Sequence, residues 1–81
     1  MTKQELFDYI EQGREIEFTF QNKKYSITYG VIEGKEVISF CEFYQETTEV
    51  ETAEELVNVK REGVTVLQML ESLTEEDIWI Y

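Results

Sequence analysis

The side chains of this 81-residue chain that could do acid, base or nucleophilic chemistry are nearly all carboxylates. Eighteen Asp and Glu stand against seven Lys and Arg, with no histidine, one cysteine and a formal net charge of −11. Without histidine, the usual general base near neutral pH is missing. Glu15 and Glu17 share one face of an extended segment, while Glu54, Glu55 and the run Glu75, Glu76, Asp77 lie at or near helix starts. A glycosidase-like pair needs one carboxyl raised in pKa by an apolar pocket, and no flanking sequence here supplies one. Glu in a helix first turn is already explained by the helix dipole. Cys41 has Glu42 beside it and Glu46 close by. Such neighbours disfavour a thiolate nucleophile, so a buried strand cysteine is expected. The glycines Gly13, Gly30, Gly34 and Gly63 stand singly and build no phosphate-cradling loop. No catalytic residue and no cofactor is expected.

Metal chemistry is no better supplied. Glu46, Glu49, Glu51 and Glu54 offer oxygen ligands, but the alternating Asp/Asn pattern and central Gly of an EF-hand are absent. One cysteine and no histidine cannot complete a structural zinc site within one chain. No metal site is expected. Basic residues come only in small groups, Lys23-Lys24 and Lys60-Arg61, too few to draw a chain of this charge to phosphate. Direct nucleic-acid binding is therefore not expected. No stretch approaches the roughly 20 apolar residues of a membrane span. The opening Met-Thr-Lys-Gln-Glu-Leu-Phe-Asp has no apolar signal core. A single cysteine forms no internal disulfide, and the plain expectation is a cytoplasmic protein.

The elements that would position these groups can be read from caps and periodicity. Thr2-x-x-Glu5 and Thr52-x-x-Glu55 match the capping box, and Thr65-x-x-Gln68 matches it with an amide. Thr74 before Glu75-Glu76-Asp77 is followed by β-branched and aromatic residues and is not read as a helix start. The first helix spans about Lys3 to Gln12, with Leu6, Phe7 and Ile10 as its stripe and Gly13 as its stop. Ile16, Phe18 and Phe20 then alternate with polar residues, as do Tyr25, Ile27 and Tyr29, giving two half-buried strands joined by Gln21–Lys24. A third strand, Glu36 to Phe43, is partly apolar on both faces. Either Ile38 and Phe40 or Val37, Ser39 and Cys41 could point inward, because a one-residue shift exchanges them. Tyr44–Glu51 reads as an acidic connector, Leu56 and Val57 anchor a short helix, and Lys60–Gly63 breaks it. Val66, Leu67, Leu70 and Leu73 mark a last core-facing helix. Ile78–Tyr81 either adds an edge strand or lies across the sheet's open face.

These elements define one small acidic α+β domain over residues 1–81: a three-stranded antiparallel meander in the order α-β-β-β-α-α, with helices on one face. A short C-terminal strand is a further option. The expected core is Leu6, Phe7, Ile10, Ile16, Phe18, Phe20, Ile27, Ile38, Phe40, Leu56, Leu67, Leu70 and Leu73.

Charge is polarised along this fold. Residues 1–40 carry seven acidic and five basic side chains, and residues 41–81 carry eleven and two. Glu42, Glu46, Glu49, Glu51, Glu54 and Glu55 fall in a stretch without Lys or Arg. They are the candidate contact residues for a basic protein partner. Carboxylates two apart in an extended strand lie about 6.6 Å from each other, so nucleic-acid mimicry is one form this contact could take. The plainer account is that they solubilise a connector and cap a helix. A second candidate surface is apolar: Phe43, Tyr44, Trp79, Ile80 and Tyr81, with Val37 and Cys41. Left uncovered, it would pair two copies as a homodimer; covered by the chain's own terminus, it would complete a monomeric core.

Three stretches carry a whole-chain resemblance: Glu17-Phe18-Thr19-Phe20-Gln21-Asn22-Lys23-Lys24-Tyr25-Ser26-Ile27, Phe40-Cys41-Glu42-Phe43-Tyr44-Gln45-Glu46, and the Gly turn and periodic helix from Gly63 to Leu73. In these the chain resembles short uncharacterised proteins of Gram-positive bacteria and their mobile elements. That resemblance implies no catalytic residue, cofactor or substrate. A phage or mobile-element origin would favour an inhibitor or adaptor. The sequence thus leads to a non-enzymatic interaction or regulatory protein, with a homodimeric structural module as the alternative.

Overall fold

The computed structural model describes residues 1–81. Helix α1 (Lys3–Glu11) starts at the expected cap: the Thr2 hydroxyl accepts from the Glu5 N–H at 3.1 Å, and the Glu5 carboxylate accepts from the Thr2 N–H at 3.0 Å. The bond from the Thr2 backbone is the main reason the Glu5 carboxyl sits below its ordinary pKa. Gly13, at φ 70°, takes the chain out of the helix.

Strands β1 (Ile16–Phe20), β2 (Lys23–Ile32) and β3 (Lys35–Glu42) follow as an antiparallel meander. Phe20 pairs with Lys23 and Ile32 with Lys35, so each hairpin closes on two residues. Gln21 and Asn22 have φ 50° and 66°, and Glu33 and Gly34 have 52° and 81°. Positive φ at both central residues is what a primed turn requires, and its twist matches that of the strands it joins.

The meander is the centre of a larger sheet. The α+β class stands, but five antiparallel strands replace the expected three, in the order β4 (Thr47–Val50), β3, β2, β1 and β7 (Ile78–Ile80). Strand β4 (Thr47–Val50) lies within the stretch read from sequence as a connector. Only Thr48 and Val50 turn inward there, opposite Phe40 and Ile38. The apolar alternation that announces a strand is thereby reduced to one valine. A separate ribbon, β5 (Lys60–Arg61) with β6 (Val64–Thr65), occupies the expected helix breaker. It turns at Glu62-Gly63, again with both φ positive. The C-terminal residues form edge strand β7 (Ile78–Ile80), paired with β1.

Two further helices, α2 (Ala53–Val57) and α3 (Val66–Ser72), begin at Thr52 and Thr65. Thr74 precedes a 3-10 turn over Glu75–Asp77 and makes no side-chain cap bond. The helices and the inward face of the sheet share one core. Of its expected members, Phe7, Phe20, Leu67 and Leu73 are only partly buried, while Tyr25, Val57, Val66 and Met69 complete it. Helix α3 ends at Ser72, which leaves Leu73 in an extended C-cap and moves the buried stripe to Val66, Met69 and Leu70. In β3 the inward pair is Ile38 and Phe40.

Three rings run across the inward face of neighbouring strands. Phe18 of β1 stacks on Tyr25 of β2 at 5.3 Å, and Tyr25 stacks on Phe40 of β3 at 5.5 Å. The first pair is directly opposed in register and the second is diagonal, the two relations in which cross-strand rings meet. Arg61 closes the row with its guanidinium 5.2 Å from the Phe40 ring centre, and it also donates to the Thr48 hydroxyl of β4. The small ribbon is thus fastened to the outer edge of the sheet. Burial raises the pKa of the Tyr25 phenol, with Glu42 opposite it in register adding to the shift.

Candidate functional site

The other face of the sheet bears no helix. Register places Glu17, Thr19, Lys24, Ser26, Thr28, Ser39, Cys41, Thr47, Glu49 and Trp79 outward. None of these joins the core, and neither do Val37 and Phe43. Rows of Ser and Thr are the ordinary dress of a solvated antiparallel face. Cys41 is half-buried among them, its Sγ 3.4 Å from Ser26 Oγ, which corrects the expectation of a buried core thiol. It points away from the core because Phe40, its neighbour, points in.

The aromatic residues depart from this polar pattern. Phe43, Trp79 and Tyr81, remote in sequence, line one outward depression of about 130 Å³ together with Glu17, Thr19 and Lys24. Strand pairing holds each ring in place. The Phe43 N–H donates to the Lys24 carbonyl at 2.8 Å, and the Tyr81 N–H donates to the Glu15 carbonyl at 2.8 Å. Trp79 lies opposite Glu17 in register. Arg14 donates to the Tyr81 carbonyl at 2.6 Å while lying over the Tyr9 ring. Trp79 is 45% exposed and Tyr81 60%. Ile80 turns the other way, onto the core. Tyr44 stands beside Phe43 edge to face at 6.2 Å, 99% exposed and at φ 68°. A bulky residue there carries backbone strain. Of the apolar candidates named from sequence, then, Phe43, Trp79 and Tyr81 come together, with Tyr44 projecting from the rim.

The six acidic candidates do not form one row. Glu42 and Glu46 border a shallow polar dish with Thr48 and Arg61. Glu49 faces outward, near Val37 and Glu51. Glu51 also joins Glu11 and Glu36 around Tyr29, whose phenol is raised in pKa chiefly by the neighbouring Glu36 carboxylate. Glu54 pairs with Lys3 at 3.2 Å. Glu55 serves the α2 cap, its N–H donating to the Thr52 hydroxyl and its carboxylate accepting from the same group. The segment wraps an edge of the sheet, presenting carboxylates on several sides of it.

Eighteen acidic side chains make two ion pairs in all, Lys3–Glu54 and Lys23–Glu62. The second holds the Lys23 ammonium above its ordinary pKa through its hydrogen bond to Glu62. No three Asp, Glu or Cys side chains converge as a metal cluster, and no helix is long and apolar enough to cross a membrane. Glu17 and Lys24 were not singled out from sequence as neighbours of an aromatic site. Strand alternation marks them as outward, but only the β1–β7 pairing brings Trp79 to them. No protein-family model matches the chain, and no curated protein or solved structure matches it either.

Proposed function

We propose that the protein is a non-enzymatic contact module that docks on a basic protein surface. In its sharpest form this is nucleic-acid mimicry, with Glu42, Glu46, Glu49, Glu51, Glu54 and Glu55 meeting a protein that otherwise binds phosphate. One observation carries the reading: a net charge of −11 on a folded body whose carboxylates are ion-paired only twice. Unneutralised charge costs a small domain stability through self-repulsion, and its return is fast, selective association with the opposite charge. The cytoplasm suits a chain whose single cysteine, Cys41, is free.

The test is calorimetric titration with protamine, an arginine-rich protein, at about 0.15 M salt, where the Debye length is about 8 Å. Binding that weakens with salt is expected, and about tenfold weaker binding for the triple variant Glu46→Gln/Glu49→Gln/Glu51→Gln, on the order of 0.5 kcal/mol per exposed charge pair lost. No binding at this salt refutes the reading, and equal binding by the triple variant removes the acidic segment from it.

A second reading, a homodimer through the uncovered sheet face, is favoured by the exposure of Trp79 and Tyr81 there. Against it stand the outward carboxylates Glu17 and Glu49, which a two-fold axis would bring toward their copies. Sedimentation equilibrium at low salt and at about 0.5 M, where exposed charges are strongly screened, separates the two. A dimer that tightens with salt supports apolar pairing, and a monomer at both refutes it.

A further inference from the structure

We propose that the depression between Phe43, Trp79 and Tyr81 is an anchor pocket for one arginine or lysine side chain of a basic partner protein, with Glu17 as its counter-charge. The proposal rests on the contact function above and names where the partner's cation enters. Its size is the first argument. A volume of about 130 Å³ admits one side-chain head group, whereas sites for whole small molecules run from about 300 Å³ upward. Its walls are the second. Tryptophan and tyrosine faces attract cations through the ring quadrupole, and surrounding a cation with several rings is how proteins hold ammonium groups. Charge is the third: Glu17 lines the pocket. Preorganisation is the fourth. All three aromatics sit on hydrogen-bonded backbone, Phe43 with Lys24 of β2, Trp79 with β1 and Tyr81 with Glu15 just before β1, so binding need not order a loop.

Lys24 also lines the depression, and it makes no ion pair. As a like charge at the mouth, it opposes a cationic guest. The site therefore predicts an effect that bulk charge does not: Lys24→Gln strengthens binding more than Lys60→Gln, although each removes one positive charge. In the same way Glu17→Gln weakens binding more than Glu71→Gln, a charge-matched change on helix α3.

The experiment titrates the intact protein with acetylated, amidated octa-arginine at about 0.15 M salt. It is followed by the fluorescence of Trp79, the only tryptophan in the chain, and by calorimetry. Saturable change in Trp79 emission is expected. Glu17→Gln should weaken binding about fivefold more than Glu71→Gln, and Trp79→Leu should weaken it about tenfold, the range of a partly desolvated cation–ring contact. If Trp79→Leu does not fold, the two charge-matched pairs decide alone. Binding with unchanged Trp79 emission and equal effects within each pair overturns the pocket while leaving the acidic contact function standing. Absence of any binding overturns both. A wild-type dimer that shields Trp79 from a neutral quencher overturns the pocket as well, because a second copy then occupies it.

Discussion

Arg61 gives the most demanding test of how the edge of this sheet is held. Replacing it with methionine keeps most of the aliphatic stem and removes the guanidinium, which donates to Thr48 and lies 5.2 Å from the Phe40 ring centre. A hydrogen bond from a charged donor is worth about 1.5–3 kcal/mol, with the lower end fitting a half-buried side chain. The ring contact adds about 0.5–1 kcal/mol. Arg61→Met should therefore cost about 2–2.5 kcal/mol. At roughly 0.05–0.15 kcal/mol per residue a chain of this size holds about 4–12 kcal/mol, so the loss is large but leaves a folded protein. In urea, with a slope near 1 kcal/mol/M, the midpoint should fall by about 2 M. Hydrogen exchange should show the β4 amides losing protection first, because Thr48 is the strand's link to the ribbon. Arg61→Lys should recover less than half of the loss, since an ammonium lacks the planar fork. Arg61 is also one of only two cations after residue 40, so some of the deficit is charge alone. About 0.5 M salt should restore that part and no more. A loss below about 0.5 kcal/mol, or one that salt abolishes entirely, would show that the guanidinium is merely a charge and that the clamp is not real.

Three other outcomes follow from the same structure. Burial raises the Tyr25 phenol above its ordinary value of 10.0; stability tied to the neutral phenol is thus complete below pH about 10 and is lost as pH rises through the folded value. Tyr25→Phe should reduce this alkaline loss in urea midpoints from pH 9 to 11.5, leaving the parts due to Tyr29 and Lys23, whose pKa values are also raised. At the acid end, Glu5 is lowered from 4.5, so its contribution is present above that value and is lost as pH falls through the folded one. Thr2→Ala, which keeps the backbone donor, should cost about 1 kcal/mol at pH 7, while Glu5→Gln, which removes the titrating carboxyl, should flatten the acid limb between pH 5 and 3, seen by thermal melts at each pH. Removing residues 77–81 should cost about 3 kcal/mol, from two half-buried isoleucines at about 1–1.5 kcal/mol each and an unpaired β1 edge. An unchanged urea midpoint would contradict the docked strand.

What the sequence made legible depends on how much of each signal is local. Caps and turns need only a few neighbours, and Thr2, Thr52, Thr65 and Gly13 all mark the helix ends found in the structure. The alternation of Ile16, Phe18 and Phe20 likewise suffices for β1, and Ile27 for its partner. Strand β4 is different. Thr-Thr-Glu-Val has too little apolar content to speak for itself, and it becomes a strand because Phe40 and Ile38 offer it an edge. The two residues of β5 are shorter than any periodicity. For the candidate site, the aromatic residues were visible as excess mass, but their meeting depended on β7 choosing β1 rather than the open face. Long-range pairing of that kind leaves no trace in a window of sequence.

That late pairing also bears on how the chain is made. Strands β1 to β4 pair with neighbours in sequence, so each hairpin can close soon after it leaves the ribosome. The outer edge of β1 cannot, because its partner Ile78–Ile80 lies about 60 residues further along the chain. At about 5–20 residues per second the nascent sheet carries an open edge for on the order of seconds. Exposed strand edges invite other chains to add on, and charged side chains discourage them. Glu15 and Glu17 flank Ile16 on that edge, so before Glu17 faces Trp79 in the finished fold it already keeps the unfinished one from pairing with its neighbours.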